Sequence, residues 1–348
     1  MTDECRCAAA ATACGRSGEQ PAAVVLMLVR LSWFRRTLNA EGSGAAGRHL
    51  RNVIRNQFAG IMDGPDSEPG TRQVDSTLMN RIHDLAAKWG VEIEQLVPGV
   101  TSLLGYGICE GETVVLKVVS SASDERHAGE LMDLYGPDAV VPLLQHEPGA
   151  VLMVRQVPGS QLAEMLDVTR IEAMDDILAD VIRRLHYRRR RKPRVPDLME
   201  WGRSFPEYLR HGGVLSERAV ERAFEAFRVL VETQGPVTVL HGDLHHYNVL
   251  FDENEGWKAI DPKGVVGELE FEVGAALRNP RNYPHLYGRE MLETRARRFG
   301  VACNLDADRI LRWAGVQAVL SVLWTLEDGG ELSESDPAYA VARTLGTL

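Results

Sequence analysis

The chain has 348 residues, 45% of them hydrophobic and 25% charged, with a formal net charge of −10. That usage is typical of a soluble globular chain long enough for two cored units, and it argues against a disordered one. The acidic balance argues against general attraction to nucleic acid or to an anionic membrane, and suits a cationic small molecule.

Residues 1–76 mix Ala, Gly and Arg, with a short helix fitting near 46–58, and close on DGPDSEPGTRQ, which reads as a linker. An ordered accessory element, a disordered tail and residues upstream of the functional start all fit this stretch, and no chemistry is assigned to it. Cys5, Cys7 and Cys14 crowd its beginning while Cys109 and Cys303 stand far apart, so the five cysteines do not form a disulfide framework, and no CxxC pair suggests zinc. The apolar run 23–29 is too short to span a bilayer, and its arginines follow it, whereas a secretory signal carries its charges in front. A cytoplasmic protein is the expectation.

From Ser76 the pattern changes. STLMNRIHDLAAKWG spaces Leu78, Ile82, Leu85 and Ala86 on one helical face and stops at Gly90. Two β-like runs follow, around 94–97 and in ETVVLKVVS, then a helix over 124–135 and a strand over 150–157. Beyond these, helices dominate: TRIEAMDDILADVIRRLH has helical periodicity, and further helices are expected at 199–210, 216–233, 288–299 and 306–327, with short strands at VTVLH and WKAID. The basic run 183–194 closes a helix before a proline, where cations suit the helix dipole, and reads as a solvated turn rather than a nucleic-acid patch.

The chemistry concentrates in HGDLHHYNVLF (241–251) and WKAIDPKG (257–264). Apolar pairs in short strands carry Asp243, Asn248 and Asp261 at their ends, where a rigid scaffold can aim them into a cleft. An amide and carboxylates are oxygen ligands suited to Mg²⁺, whereas His241 and His245 lack the helix that a zinc-binding HExxH pair requires. Asp243 fits a group that positions an attacking hydroxyl, Asn248 and Asp261 fit metal ligands, and Lys117 fits a cation for donor phosphates. Lys117 ends an apolar strand, so it should face a cleft or an acidic partner. PGVTSLLGYG (98–107) reads either as a hairpin turn or as a phosphate cover through the backbone of Val100, Thr101 and Ser102.

HGDLHHYNVL, AIDPKGVVGE, LRNP and WAGVQAVLSVLWTLEDG resemble the streptomycin 6-phosphotransferase and hydroxyurea phosphotransferase family, a branch of the aminoglycoside phosphotransferases, over about residues 83–330. The resemblance implies an α+β, protein-kinase-like fold, with a β-rich nucleotide lobe over 77–155 and a larger, mostly helical catalytic and acceptor lobe over 156–348. It further implies ATP and Mg²⁺ as cofactors and a cationic aminoglycoside, streptomycin first, as acceptor. Asp243 would be the acid-base residue, Asn248 and Asp261 the metal ligands, and Lys117 the phosphate-binding cation, with adenine against the connector 154–159. The family's glutamate in the helix after the lysine strand falls at Ala128, so Glu130 or Glu125 is expected to pair with Lys117. Lys263 is expected on phosphate or on an acid. Glu327 and Asp328, with Glu268, Glu270, Glu272 and Glu331, are expected either to receive guanidinium or ammonium groups of the acceptor or to form a solvated face. A protein kinase fits less well, since HGD and IDP stand in place of HRD and DFG. Hydroxyurea or another metabolite as acceptor, and a catalytically silent binding module, remain the rivals.

Overall fold

Leu78, Ile82, Leu85, Ala86 and Trp89 line one side of α1 (Ser76–Trp89), which packs on a five-stranded sheet through Val114, Leu116 and Val118. The computed structural model describes residues 76–99, 101–121, 123–165, 170–187 and 194–348. The expectations placed on the first 75 residues, on Val100 and on the basic residues 188–192 therefore lie outside the described residues. The sheet comprises β1 (Val91–Pro98), β2 (Ser102–Cys109), β3 (Glu112–Val119), β4 (Leu143–Glu147) and β5 (Ala150–Val154), all antiparallel in the order β1-β2-β3-β5-β4. Its opposite face meets α2 (Ala128–Tyr135), where Val115, Val151 and Met153 join Leu131 and Met132. Cover on both faces is why ETVVLKVV and AVLMV are nearly continuous apolar runs. It also gives Lys117 its direction, because alternate residues share a face and Lys117 lies with Val115, away from α1.

The chain leaves the sheet at Val154 and re-enters regular structure as β6 (Pro158–Gln161), which pairs with β8 (Val249–Asp252), itself paired with β9 (Gly256–Ala259). A second ribbon joins β7 (Val237–Leu240) to β10 (Val265–Glu268). Around these ribbons pack α3 (Ile171–Tyr187), α4 (Leu198–Trp201), α5 (Ser204–His211), α6 (Glu217–Glu232), α7 (Leu269–Leu277), α8 (Arg289–Cys303), α9 (Ala307–Glu327) and α10 (Pro337–Leu345). The helix expected over 199–210 is two helices broken at Gly202, where a β-carbon would lie 2.4 Å from the Phe227 ring. The helix expected over 124–135 opens as a 3-10 turn, Asp124–His127, before α2. Helix α9 is apolar around most of its circumference, as a central helix must be, and its Trp313 meets Phe227 and Phe271 edge-on at 5.9 and 5.2 Å. Arg295 of α8 grips Asp175 of α3 with two 2.9 Å hydrogen bonds in the buried core. Removing either partner would strand a buried charge, at a cost of about 3–5 kcal/mol.

No helix among the described residues is long and apolar enough to cross a membrane.

Candidate active site

The loop 241–248 joins β7 to β8, and backbone hydrogen bonds hold its first turn. The Glu272 carboxylate of α7, 1% exposed, accepts the His241 N–H at 2.7 Å and the Gly242 N–H at 3.0 Å. The N–H groups of Lys263 and Gly264 both donate to the His241 carbonyl at 3.0 Å. His241 itself is spent inside the loop: Nε2 donates to the Ile260 carbonyl at 2.9 Å and Nδ1 accepts from the Asp243 N–H at 3.3 Å. That pattern needs the neutral Nε2–H tautomer, and burial lowers the His241 pKa in agreement. Gly242 is required here, with φ at +84° and the Trp201 indole 2.8 Å from where a β-carbon would stand.

This bracing delivers the Asp243 carboxylate among three nitrogen groups, two of them cationic: Lys263 Nζ at 3.3 Å, His245 Nε2 at 3.7 Å and Arg278 Nη2 at 3.9 Å. Burial acts to raise its pKa, but His245, Lys263 and Arg278 outweigh it and hold the carboxyl well below the usual carboxylate range. Asp243 is thus an ionised acceptor rather than a strong base. Burial pushes His245 down to about 4, against the pull of Asp243, so it sits beside the carboxylate as a neutral ring. Lys263 also reaches Asp124 at 3.1 Å. Arg278 is held by a 2.6 Å bond to Gln317 of α9, which nestles against the bare α-carbon of Gly274.

Lys117 Nζ lies 2.7 Å from Asp261 Oδ1 and 2.5 Å from Glu125 Oε2. Burial opposes its charge, but Asp261 and Glu125 prevail and raise the Lys117 pKa, while burial raises that of Glu125. Strand register completes the cluster. Val249 pairs with Ala259, and the Ile260 N–H donates to the Asn248 carbonyl at 3.0 Å, which places Asn248 beside the residue before Asp261. The Asn248 Nδ2 donates to the Asp243 carbonyl at 2.9 Å, committing the amide nitrogen, so that Oδ1 is the atom a cation would take. Asp261 has φ +58°, a left-handed conformation that turns its side chain out of the strand line towards Lys117. An amide oxygen and a carboxylate are the hard donors a Mg²⁺ ion takes, so these residues fit that ion.

Next to the cluster lies a cavity of about 570 Å³ between sheet and ribbons. Leu104, Val115, Val141 and Met153 line it from one side and Leu250 and Ile260 from the other, with the connector 154–156 along its edge and Lys117 and Asp261 at one end. A cavity with apolar walls on two sides and a charged cluster at one end suits a heteroaromatic base with its phosphates.

Residues 88–329 match the family described as aminoglycoside/hydroxyurea antibiotic resistance kinase. The chain belongs to that family. Streptomycin 3''-kinase of Klebsiella pneumoniae is 31% identical to the kinase over 226 residues, 63% of this chain and 83% of its own length. Streptomycin 6-kinase of Streptomyces griseus is 29% identical over 232 residues, 63% and 73% of the two chains. Among solved structures, a thermostable mutant of aminoglycoside phosphotransferase APH(4)-Ia, in ternary complex with AMP-PNP and hygromycin B, has a TM-score of 0.54 at 18% identity, covering 76% of this chain and 97% of its own. That likeness is one of fold, and the fold is the protein-kinase-like α+β one.

The kinase brings together Asp243, Asn248, Asp261, Lys117 and Lys263 of the residues read from sequence. Glu130 is corrected. Its carboxylate lies 3.7 Å from His127 at the surface, and Glu125 holds Lys117 instead, because the 3-10 turn ahead of α2 carries Glu125 inward. The expected cover is a tight turn closed by the Gly99 N–H to the Ser102 carbonyl, and Gly105 and Gly107 lie within β2. Ser102 pairs with Val119 two positions beyond Lys117, and neither it nor Thr101 lines the cavity. Glu268 and Glu272 are buried and spent on internal bonds, Glu268 with Arg309, Trp313 and the Gly235 N–H, so neither forms part of an acceptor-binding face. Glu327 and Asp328 stand exposed at the end of α9, and Glu327 accepts from Ser204 at 2.9 Å. Trp324 of the same helix meets Trp201 edge-on at 5.4 Å, and Trp201 in turn packs on Gly242. Reading the sequence missed Arg278 and Gln317. A lone amide in the apolar run WAGVQAVL was the signal available.

Proposed function

We propose that the kinase transfers the γ-phosphate of ATP, with Mg²⁺, to a hydroxyl of a cationic aminoglycoside, streptomycin in the first instance. The convergence of Lys117 and Asp261 from opposite sides of one cavity, with Asn248 and Asp243 beside them, carries the reading. Residues 77–155 act as the nucleotide lobe and 156–348 as the acceptor lobe. Lys117, oriented by Glu125, would meet donor phosphate oxygens, and Asn248 and Asp261 would hold the metal, which neutralises charge on the phosphates when bound. Asp243 orients the attacking hydroxyl by accepting its hydrogen bond and receives the proton late, since a loose phosphoryl transition state asks for alignment more than for basicity. Lys263 and Arg278 keep that carboxylate ionised. They also place positive charge near the transferred group. The acidic surface at Glu327 and Asp328 and the net charge of −10 favour a polycationic acceptor.

The test is a panel of acceptors, including streptomycin, other aminoglycosides and hydroxyurea, incubated with ATP and Mg²⁺ and read by mass. Streptomycin should gain one phosphate, and Asp243→Ala should lose that product while still binding ATP. Turnover of hydroxyurea alone would move the acceptor class. ATP binding without transfer to any acceptor would leave a binding module.

A further inference from the structure

His245 follows Asp243 by two residues and is bonded at one ring nitrogen. The Tyr247 N–H donates to its Nδ1 at 3.3 Å, so the ring carries its proton on Nε2. His241 has the same local pattern, but its Nε2 is spent on the Ile260 carbonyl, whereas the His245 Nε2–H meets no acceptor within hydrogen-bond reach among the described residues. Asp243 Oδ1 lies 3.7 Å away, too far for a direct bond. Both ring nitrogens of His246, one residue on, are enclosed, while Nε2 of His245 keeps open surface. The His245 and Asp243 side chains stay 14% and 21% exposed, enough for a ligand atom to reach both. The Tyr247 ring meets the His245 ring edge-on at 5.8 Å, and its hydroxyl accepts the Arg281 N–H at 3.1 Å, which fixes the direction of the imidazole. The two carboxylate oxygens of Asp243 face different neighbours. Oδ2 lies towards Lys263, which also reaches Asp124, and Oδ1 lies towards His245 and Arg278. The loop thus presents an open acceptor and an open donor side by side.

We propose that His245 is a specificity residue for the acceptor: while the attacking hydroxyl donates to Asp243 Oδ1, the His245 Nε2–H donates to the oxygen of a second hydroxyl on the adjacent carbon, so the kinase selects vicinal diols over isolated hydroxyls. The proposal rests on the phosphotransfer reading above and adds which hydroxyls of an acceptor are competent. One oxygen meeting both groups would hold them at about 80°, from the 3.7 Å separation and hydrogen bonds of about 2.8 Å, well below the tetrahedral angle. It would also commit to the histidine a lone pair needed for attack on phosphorus. Two oxygens on adjacent carbons stand about one hydrogen-bond length apart and fill the gap without that conflict. An isolated hydroxyl would leave the Nε2–H unpaired once the acceptor has displaced water from it.

The test uses streptomycin and its derivative deoxygenated at the carbon next to the phosphorylated one, which tandem mass spectrometry of the product locates. Streptomycin carries hydroxyls beside another hydroxyl and one flanked only by guanidino-bearing carbons. The phosphate should be found on the first kind, and phosphate on the second overturns the proposal. In the wild-type protein kcat/KM should fall about tenfold on deoxygenation, the size expected when a buried donor is left unpaired. Equal kcat/KM for the two acceptors overturns the proposal without any variant. His245→Phe keeps a ring and removes the donor, so it should lose about the same factor on streptomycin and show no preference between the two acceptors. A merely structural His245 would lower both equally and leave the gap in place. A gap that survives would assign the second oxygen to another donor, such as Arg278, and overturns the proposal. If His245→Phe does not fold, His245→Asn, whose amide can keep the Tyr247 bond but is too short to reach the acceptor, should close the gap, and an unchanged gap overturns the proposal. Absence of phosphorylated streptomycin would overturn the acceptor reading itself, an outcome separate from transfer without preference for a diol.

Discussion

Replacing Glu272 with glutamine tests the claim that one buried carboxylate shapes the loop that presents Asp243. In the native protein its two oxygens each receive a backbone N–H, from His241 at 2.7 Å and from Gly242 at 3.0 Å. Hydrogen bonds to a charged partner contribute about 1.5–3 kcal/mol each. Glutamine keeps the shape and one oxygen, so one N–H stays bonded while the other faces an NH₂ group that can only donate. Losing one charge-assisted bond and stranding a donor is partly offset by no longer burying a charge, which leaves a net loss of about 2–3 kcal/mol. The first turn of the loop then opens, and Asp243 moves with it. Misplacement by about 1 Å can cost on the order of a hundredfold in rate. The expected result in Glu272→Gln is a lower urea midpoint and a kcat reduced at least about tenfold. ATP affinity should hold, because the cavity does not include the loop. A variant that unfolds at the wild-type midpoint and turns over at the wild-type rate would refute the reasoning.

Three further outcomes are expected. Burial lowers the pKa of His241, His245 and His246, so the unfolded chain takes up their protons near pH 6.5 while the folded one resists. Stability is therefore full above that pH and lost as pH falls, and for His245 alone the loss between about 6.5 and 4 amounts to about 3 kcal/mol; urea midpoints at pH 7, 6 and 5 should fall in order, and a flat series would contradict the assignment. The depressed pKa of Asp243 adds nothing in that window, since its contribution is present above the unfolded carboxylate range and lost only below it. Gln317→Leu removes the 2.6 Å partner of Arg278 and should cost about 1–3 kcal/mol in thermal unfolding with a drop in kcat, against no change if the guanidinium is held by other bonds. Gly242→Ala forces a side chain into a +84° conformation against Trp201 and should cost at least about 1–2 kcal/mol, with kcat falling more than ATP affinity.

Much of the site was legible before folding because its residues lie close together in the chain. Asp243, Asn248 and Asp261 are joined by two short strands, and a strand end is visible as an apolar pair followed by a polar residue. Lys117 was legible for a related reason: a lysine inside a doubly covered strand has no apolar face to occupy and must find acids. Glu125 and Glu130 could not be separated, since the choice depended on whether the helix began with a 3-10 turn, and the four residues Asp124–His127 decide which carboxylate turns inward. The acidic residues at the junction of β10 and α7 were misjudged for the opposite reason. In sequence Glu268 and Glu272 look like solvated charge, yet one anchors Arg309 and Trp313 and the other caps two backbone N–H groups of a loop about thirty positions earlier. Only distant partners make a carboxylate stable in a core.

From its residues alone the protein declares most of its longer helices, though not those at Leu269–Leu277 and Pro337–Leu345, the lysine strand, the paired loops and, through motif resemblance, its kinase family. These are matters of periodicity and spacing, which local backbone geometry enforces. The tertiary structure decides which carboxylate meets Lys117, that Arg278 and Lys263 surround Asp243, and that Glu272 is a brace rather than a binding surface. Those facts depend on desolvation and on contacts between residues far apart in the chain, and neither exists until the lobes have packed.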